Sequence, residues 1–268
     1  MDLQRALTRL DGFKAGHKDA LNAFDPLLAG AFFDYVNRAA ERLHVSIEGL
    51  SHLPEGRALL VANHAFGFDV VFAMAAIWER FRRPVWVLGE HLWWSLPFLR
   101  RFVAAIGVVD GTRENVDYLL SREQLVLVLP GGLREAVKPR ELRYQLLWGQ
   151  RYGFVHAALR NQAPMVPLAS VGSDELFDFV GNPYERGRRW LKPLHLPLPL
   201  PATILPLPRR VNMKFVFGAP VPPRPPSADQ DELSHVRSLR REIEGALHEL
   251  IEGELWRRLD PKDRGEEL

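Results

Sequence analysis

Three short stretches of this 268-residue chain combine residue types that could move a proton and hold an anion. The first ends an apolar run, Arg57 to Ala62, and continues through Asn63, His64 and a turn containing Gly67 to Asp69. A histidine can take a proton from a hydroxyl at neutral pH, and a carboxylate five residues on can hold its ring in one tautomer. Asp69 is also a natural helix N-cap, and capping alone would account for it. The second stretch runs from Gly107 to Arg113 into a helical pattern. There an arginine and open helix amides suit an anion, although a loop arginine that pairs locally fits as well. The third, Pro130, Gly131, Gly132, Leu133, Arg134 and Glu135, again follows an apolar run. Paired glycines let main-chain amides approach an oxyanion or phosphate, and they also suit a plain turn.

Such residues need a frame, and the apolar periodicity supplies one. Short apolar runs predict buried strands over Arg57–Ala62, Val85–Leu88, Leu125–Leu129, Met165–Leu168 and Met213–Phe217. Helical spacing predicts helices over Asp69–Arg82, about Pro97–Ala105, Arg113–Arg122 and Tyr152–Asn161. The alternation predicts one α/β domain with a mostly parallel central sheet flanked by helices. Its core spans 45–221. Before it an amphipathic helix occupies 26–43, with Pro26 in its first turn and Leu27, Leu28, Ala31, Phe32, Tyr35, Val36, Ala39 and Leu43 on one face. That face could pack on the core or seat on a membrane. After the core, a Pro-rich loop (Val221–Pro226) leads to a charged helix over 229–259.

Composition narrows the classes. At 47% hydrophobic and 25% charged residues, the chain is an ordinary globular one. The absence of cysteine excludes disulfides, thiolate metal sites and a cysteine nucleophile. The net charge is only +2, but arginines cluster at Arg82-Arg83, Arg100-Arg101, Arg186/Arg188/Arg189 and Arg209-Arg210. Solvated surface is the ordinary explanation; an anionic surface or co-substrate is the other. No nucleic-acid-binding module is present, and nucleic acid is not expected as a partner. No secretory signal opens the chain, and no run of about 20 apolar residues could span a bilayer. The greasiest stretch, Trp190–Pro208, contains six prolines and cannot be a regular helix. It reads as an interfacial loop beside arginines, or as a segment wrapped over the core. A Gly-x-Ser-x-Gly elbow and a His-Glu-x-x-His helix are both missing, which argues against a serine hydrolase and a zinc hydrolase.

The order of the blocks resembles the glycerolipid and lysophospholipid acyltransferase superfamily. His-x4-Asp, Gly-x5-Arg, Pro-Gly-Gly-x-Arg-Glu and Val-Pro follow one another over about residues 45–221. By that resemblance His64 and Asp69 match the catalytic pair, and Arg113 matches an arginine associated with an acceptor phosphate. Pro130, Gly132 and Arg134 match the third block, and Val166-Pro167 the fourth. The usual third block reads Pro-Glu-Gly; here Gly131 stands in the middle and Glu135 follows Arg134. That run looks more like the diacylglycerol-acyltransferase-like branch, which includes phytyl ester synthases and uses neutral acceptors.

The resemblance implies an O-acyltransferase that moves a fatty acyl group from acyl-CoA or acyl carrier protein to a lipid hydroxyl. His64 and Asp69 would be catalytic, with Arg113, Gly131, Gly132, Arg134 and Glu135 binding substrate. Acyl-CoA would be a co-substrate, with no cofactor and no metal. The expected place is cytoplasmic, peripheral on the inner face of an anionic membrane. The alternative is a lipid-binding or membrane-tethering protein that keeps the fold without turnover.

Overall fold

The structure is a computed structural model that describes residues 22–65, 69–89, 97–177, 209–227 and 231–259. The turn glycine Gly67, the Trp190–Pro208 segment and Arg186, Arg188 and Arg189 lie outside the described residues.

Among the described residues seven strands form one sheet: β1 (Ser46–Glu48), β2 (Ala58–Ala62), β3 (Val85–Gly89), β4 (Val108–Asp110), β5 (Leu125–Val128), β6 (Met165–Val171) and β7 (Lys214–Phe217). Their order across the sheet is β1-β7-β6-β2-β5-β3-β4. The pairs from β6 through β4 are all parallel, as is β1 with β7; only β6 and β7 run antiparallel. Among the described residues seven α-helices accompany them: α1 (Pro26–Arg42), α2 (Val70–Phe81), α3 (Pro97–Ala105), α4 (Arg113–Ser121), α5 (Gly132–Ala136), α6 (Gly153–Asn161) and α7 (Glu232–Leu259). The expected α/β architecture is present. The three-residue strands β1 and β4 and the one-turn α5 are too short to show a period, and the apolar pattern misses them.

Strand β2 shows why the sheet is covered on both faces. All five of its residues are buried. Leu59 and Val61 join a core with α4, α6 and α7, whereas Ala58, Leu60 and Ala62 join one with α1 and α2. A parallel strand buried on both sides reads as a continuous apolar run. On α7, Leu239, Ile243, Leu247 and Ile251 recur every four residues and are 0–1% exposed. Each such side chain contributes about 1.5–3 kcal/mol by leaving water.

Helix α1 starts where Pro26 predicts. Asp25 caps it, its Oδ1 accepting from the amides of Leu27 at 3.0 Å and Leu28 at 3.1 Å. The buried stripe, however, is Ala29, Phe33 and Val36. Leu27 and Tyr35 point outward at 87% and 67% exposure, so the inward face is rotated from the expected one. The rotation follows from packing. Phe33 lies 6.0 Å from the Trp78 ring of α2, and Phe32 meets Phe102 of α3 edge to face at 5.2 Å.

Candidate active site

The three central strands end together. In the parallel register Val61 pairs with Val128 of β5 and Pro167 of β6, so the residues after each strand gather at one edge of the sheet. Ligands of open α/β sheets bind at such carboxyl ends. His64 lies just beyond β2, Pro130 and Gly131 just beyond β5, and Ser173 and Asp174 just beyond β6.

His64 is 8% exposed and Asp69 7%. The imidazole Nδ1 faces Asp69 Oδ1 at 3.5 Å, and neither atom has a hydrogen-bond partner among the described residues. The gap is slightly long for a bond and needs only about half an ångström of closure, as catalytic contacts in an unliganded site often do. Asp69 is no cap: its side chain bonds no helix amide. Its Oδ2 instead accepts from the amide of Ala65 at 3.1 Å, closing the turn back on the histidine.

Three consecutive residues are thus held by side chains. Asn63 donates through Nδ2 to the carbonyl of Ser170 at 2.8 Å and accepts the Ser170 amide at 2.7 Å, tying the turn to β6. The amide of His64 donates to Glu135 Oε1 at 2.8 Å. The amide of Ala65 goes to Asp69, as above.

Glu135 was expected to face substrate, and the structure buries it fully instead. Its second oxygen accepts from the Leu147 amide at 2.8 Å. Burial pushes its carboxyl above the ordinary value, opposed by the Lys138 ammonium and by the amides of His64 and Leu147. The departure at Gly131 now has a steric reason. Its backbone is ordinary right-handed helix (φ −68°, ψ −26°), so freedom of φ is not why glycine stands there. A Cβ at Gly131 would fall 2.0 Å from Glu135 Oε2 and 2.4 Å from Glu135 Cβ; space for that carboxylate excludes one. The amide of Gly132 donates to the Leu129 carbonyl at 2.9 Å and so is already committed within the turn. Arg151 Nη1 holds the Pro130 carbonyl at 2.6 Å, and Arg134 is exposed.

Behind the pair lies a buried ion pair that sequence reasoning missed. Lys138 Nζ meets Asp174 Oδ2 at 2.8 Å, with the two side chains 2% and 3% exposed. Burial pushes the Asp174 carboxyl up; Lys138 and the Tyr144 amide pull it back, and nearby Asp69 adds to the rise. Asp174 also accepts the Tyr144 amide at 2.6 Å. The Tyr144 hydroxyl bonds Glu175, and burial followed by that partner pushes it up as well. An isolated lysine and two acidic residues carry no recognisable pattern, which is why they escaped notice.

The second block stands apart. Strand β4 is the sheet's edge, three strands from β2, or about 14 Å at ~4.8 Å per strand. Thr112 caps α4, accepting the Asn115 amide at 3.2 Å, so that helix start is partly satisfied from within. The Arg113 side chain is 67% exposed and lies 3.5 Å from Asp117, an anchor shared with Arg160. Gly107 is needed by the backbone: φ is +99°, and a Cβ would meet the Val85 carbonyl at 2.8 Å. In the fourth block, Val166 and Pro167 lie within buried β6. Among the described residues no group of three or more His, Asp or Glu could hold a metal ion. None of the described helices is long and apolar enough to cross a membrane.

A base beside a buried carboxylate, at a strand end, can take a proton from a hydroxyl and return it to a leaving group. Comparison with known proteins bears on which reaction that is. The family model described as "Diacylglycerol acyltransferase" matches residues 51–196. A protein of Gallus gallus described as "DGAT1/2-independent enzyme synthesizing storage lipids" is 29% identical over 220 residues, covering 80% of this chain and 62% of that one. An uncharacterized protein of Mycobacterium tuberculosis is 30% identical over 188 residues, covering 66% of this chain and 52% of that one. The chain therefore spans between about half and three-fifths of these curated relatives' length. Among solved structures, the 1-acyl-sn-glycerophosphate (LPA) acyltransferase PlsC from Thermotoga maritima shares the fold. It aligns with a TM-score of 0.50 at 15% identity, over 83% of this chain and 79% of that one.

Proposed function

We propose a chemistry for the site from one premise: this chain belongs to the diacylglycerol acyltransferase family. The reaction is O-acyl transfer from a thioester, acyl-CoA or acyl-carrier protein, to the hydroxyl of a lipid. The observation that carries it is the buried His64–Asp69 pair, with Nδ1 turned to the carboxylate and Nε2 left to meet a substrate. Nε2 takes the hydroxyl proton as the oxygen attacks the thioester carbonyl. The new C–O bond forms, the C–S bond breaks, and the departing thiolate takes the proton from the imidazolium. Asp69 offsets that transient charge. No cofactor is required.

Family membership supports a neutral acceptor. The Gallus gallus relative, described as an enzyme synthesizing storage lipids, supports the same class. Purified protein incubated with labelled acyl-CoA and a panel of hydroxyl lipids, with products identified by mass spectrometry, tests the reading. A new ester is expected. Lipid bound without product would favour a carrier on the same fold.

Arg113 is assigned to an anion on a substrate, since its exposed pair with Asp117 is weak and easily exchanged. Arginine grips a phosphate with two parallel bonds that lysine cannot copy. Arg113→Lys is expected to raise KM for a phosphorylated acceptor and spare a neutral one. A higher KM for acyl-CoA alone would move Arg113 to the donor. Unchanged kinetics for both would leave it a surface arginine.

The proposal includes peripheral contact with the cytoplasmic face of a membrane, where the acceptor resides. Leu27, Leu28, Tyr35 and Phe102 expose apolar surface around α1 and α3, beside Arg101. Apolar insertion next to cationic side chains suits an anionic bilayer. The protein is expected to float with anionic vesicles at low salt. Protein that stays wholly at the bottom of the gradient would end this part of the proposal.

A further inference from the structure

We propose that Glu135 is the positioning residue of the base, acting on the main chain of His64 instead of on any substrate. The inference rests on the reading of His64 as the base. Ladder pairing of β2 ends at Ala62 with Leu168, so the His64 amide lies beyond the reach of the sheet. Among the described residues its hydrogen-bond partner is Glu135 Oε1, at 2.8 Å. The other oxygen of that carboxylate holds the Leu147 amide at 2.8 Å, which makes Glu135 a strut between two loops that meet nowhere in the sheet.

The surroundings are built around this strut. Gly131 leaves it the space a Cβ would take. A buried carboxylate is expensive unless it is compensated, and here two amides and the Lys138 ammonium supply the compensation. Lys138 is itself fixed by Asp174 at 2.8 Å. The charged and titratable groups around the imidazole therefore come from three elements. Asp69 comes from the start of α2, Glu135 and Lys138 from α5 and the turn after it, and Asp174 from the turn after β6. Glu135 acts on the base by setting where its ring stands.

Kinetics reads the positioning effect directly. Glu135→Gln keeps the shape, but its amide nitrogen must face one of two N–H groups, so one strut bond is lost. The expected result is a kcat lower by about 10²-fold, since small misplacement of a reacting group costs that much. KM for donor and acceptor should stay within about threefold, because no substrate contact is removed. Glu135→Asp keeps the charge but is one methylene too short to span both amides. Its kcat should fall at least about tenfold with KM little changed.

A purely structural role would lower Tm and leave kcat per folded molecule unchanged; that result overturns the proposal. A raised acceptor KM with intact kcat also overturns it, by making Glu135 a substrate contact. If Glu135→Gln fails to fold, Glu135→Asp decides, and wild-type kcat in it refutes the strut. Turnover that survives His64→Ala would instead refute the base itself, so the two failures are told apart.

Discussion

His64→Ala is expected to slow acyl transfer by about 10²–10⁴-fold while the protein stays folded, the range for losing a positioned general base. The fold should survive because the sheet does not depend on this side chain. Its imidazole has no hydrogen-bond partner among the described residues, and what anchors the loop is the His64 amide, which alanine keeps. The substitution leaves Asp69 Oδ1 facing a small void, a local cost that Tm would register as a modest fall. Single-turnover transfer of a labelled acyl group, read beside thermal unfolding, checks both halves. Near-normal turnover in folded His64→Ala protein would remove the central claim. A loss of turnover accompanied by collapse of the fold would show that the histidine is architectural.

The fold was legible wherever a run of buried residues is long enough to show its period. Strand β2 is such a case and stands close to where the pattern puts it, and α7 falls within the expected 229–259, although its buried stripe of Leu239, Ile243, Leu247 and Ile251 was not read beneath the charges. Helix α1 shows the limit. Its start was readable from Pro26, but its inward face depends on Trp78 and Phe102, which belong to other helices. Leu27 and Tyr35 are apolar at helical spacing and still face outward.

The site divides in the same way. His64 and Asp69 were visible because the chain itself brings them together across one turn. Glu135 was visible as a residue and misleading as a role, since it lies 71 positions from the amide it holds. No local spacing encodes that contact; only the parallel register of β2 with β5 creates it. Asn63 binding Ser170 across 107 positions is a second example. The proposed base and its carboxylate lie close along the chain, whereas the groups that hold their backbone come from across the sheet.

Asp69→Asn is expected to be nearly as damaging as loss of the histidine, at about 10²–10⁴-fold in kcat, through the tautomer of the ring. The carboxylate has two tasks, one on each oxygen. Oδ2 accepts from the Ala65 amide at 3.1 Å, and Oδ1 faces His64 Nδ1 at 3.5 Å. As a carboxylate it can accept at both, so the imidazole carries its proton on Nδ1 and leaves Nε2 open to a hydroxyl. Asparagine has one acceptor and one donor group in the same places. The Ala65 amide requires the oxygen, and the NH2 group then points at Nδ1. A donor there makes Nδ1 the acceptor and moves the ring proton to Nε2, the atom that must receive one. The variant therefore folds and binds, because Ala65 keeps its partner, yet offers substrate the wrong face of the ring. Lost charge compensation for the imidazolium adds to the same deficit. Nitrogen-15 spectra of the labelled imidazole should show protonated Nε2 in the variant and protonated Nδ1 in the native protein. An unchanged tautomer together with unchanged kcat would return Asp69 to holding the turn and nothing more.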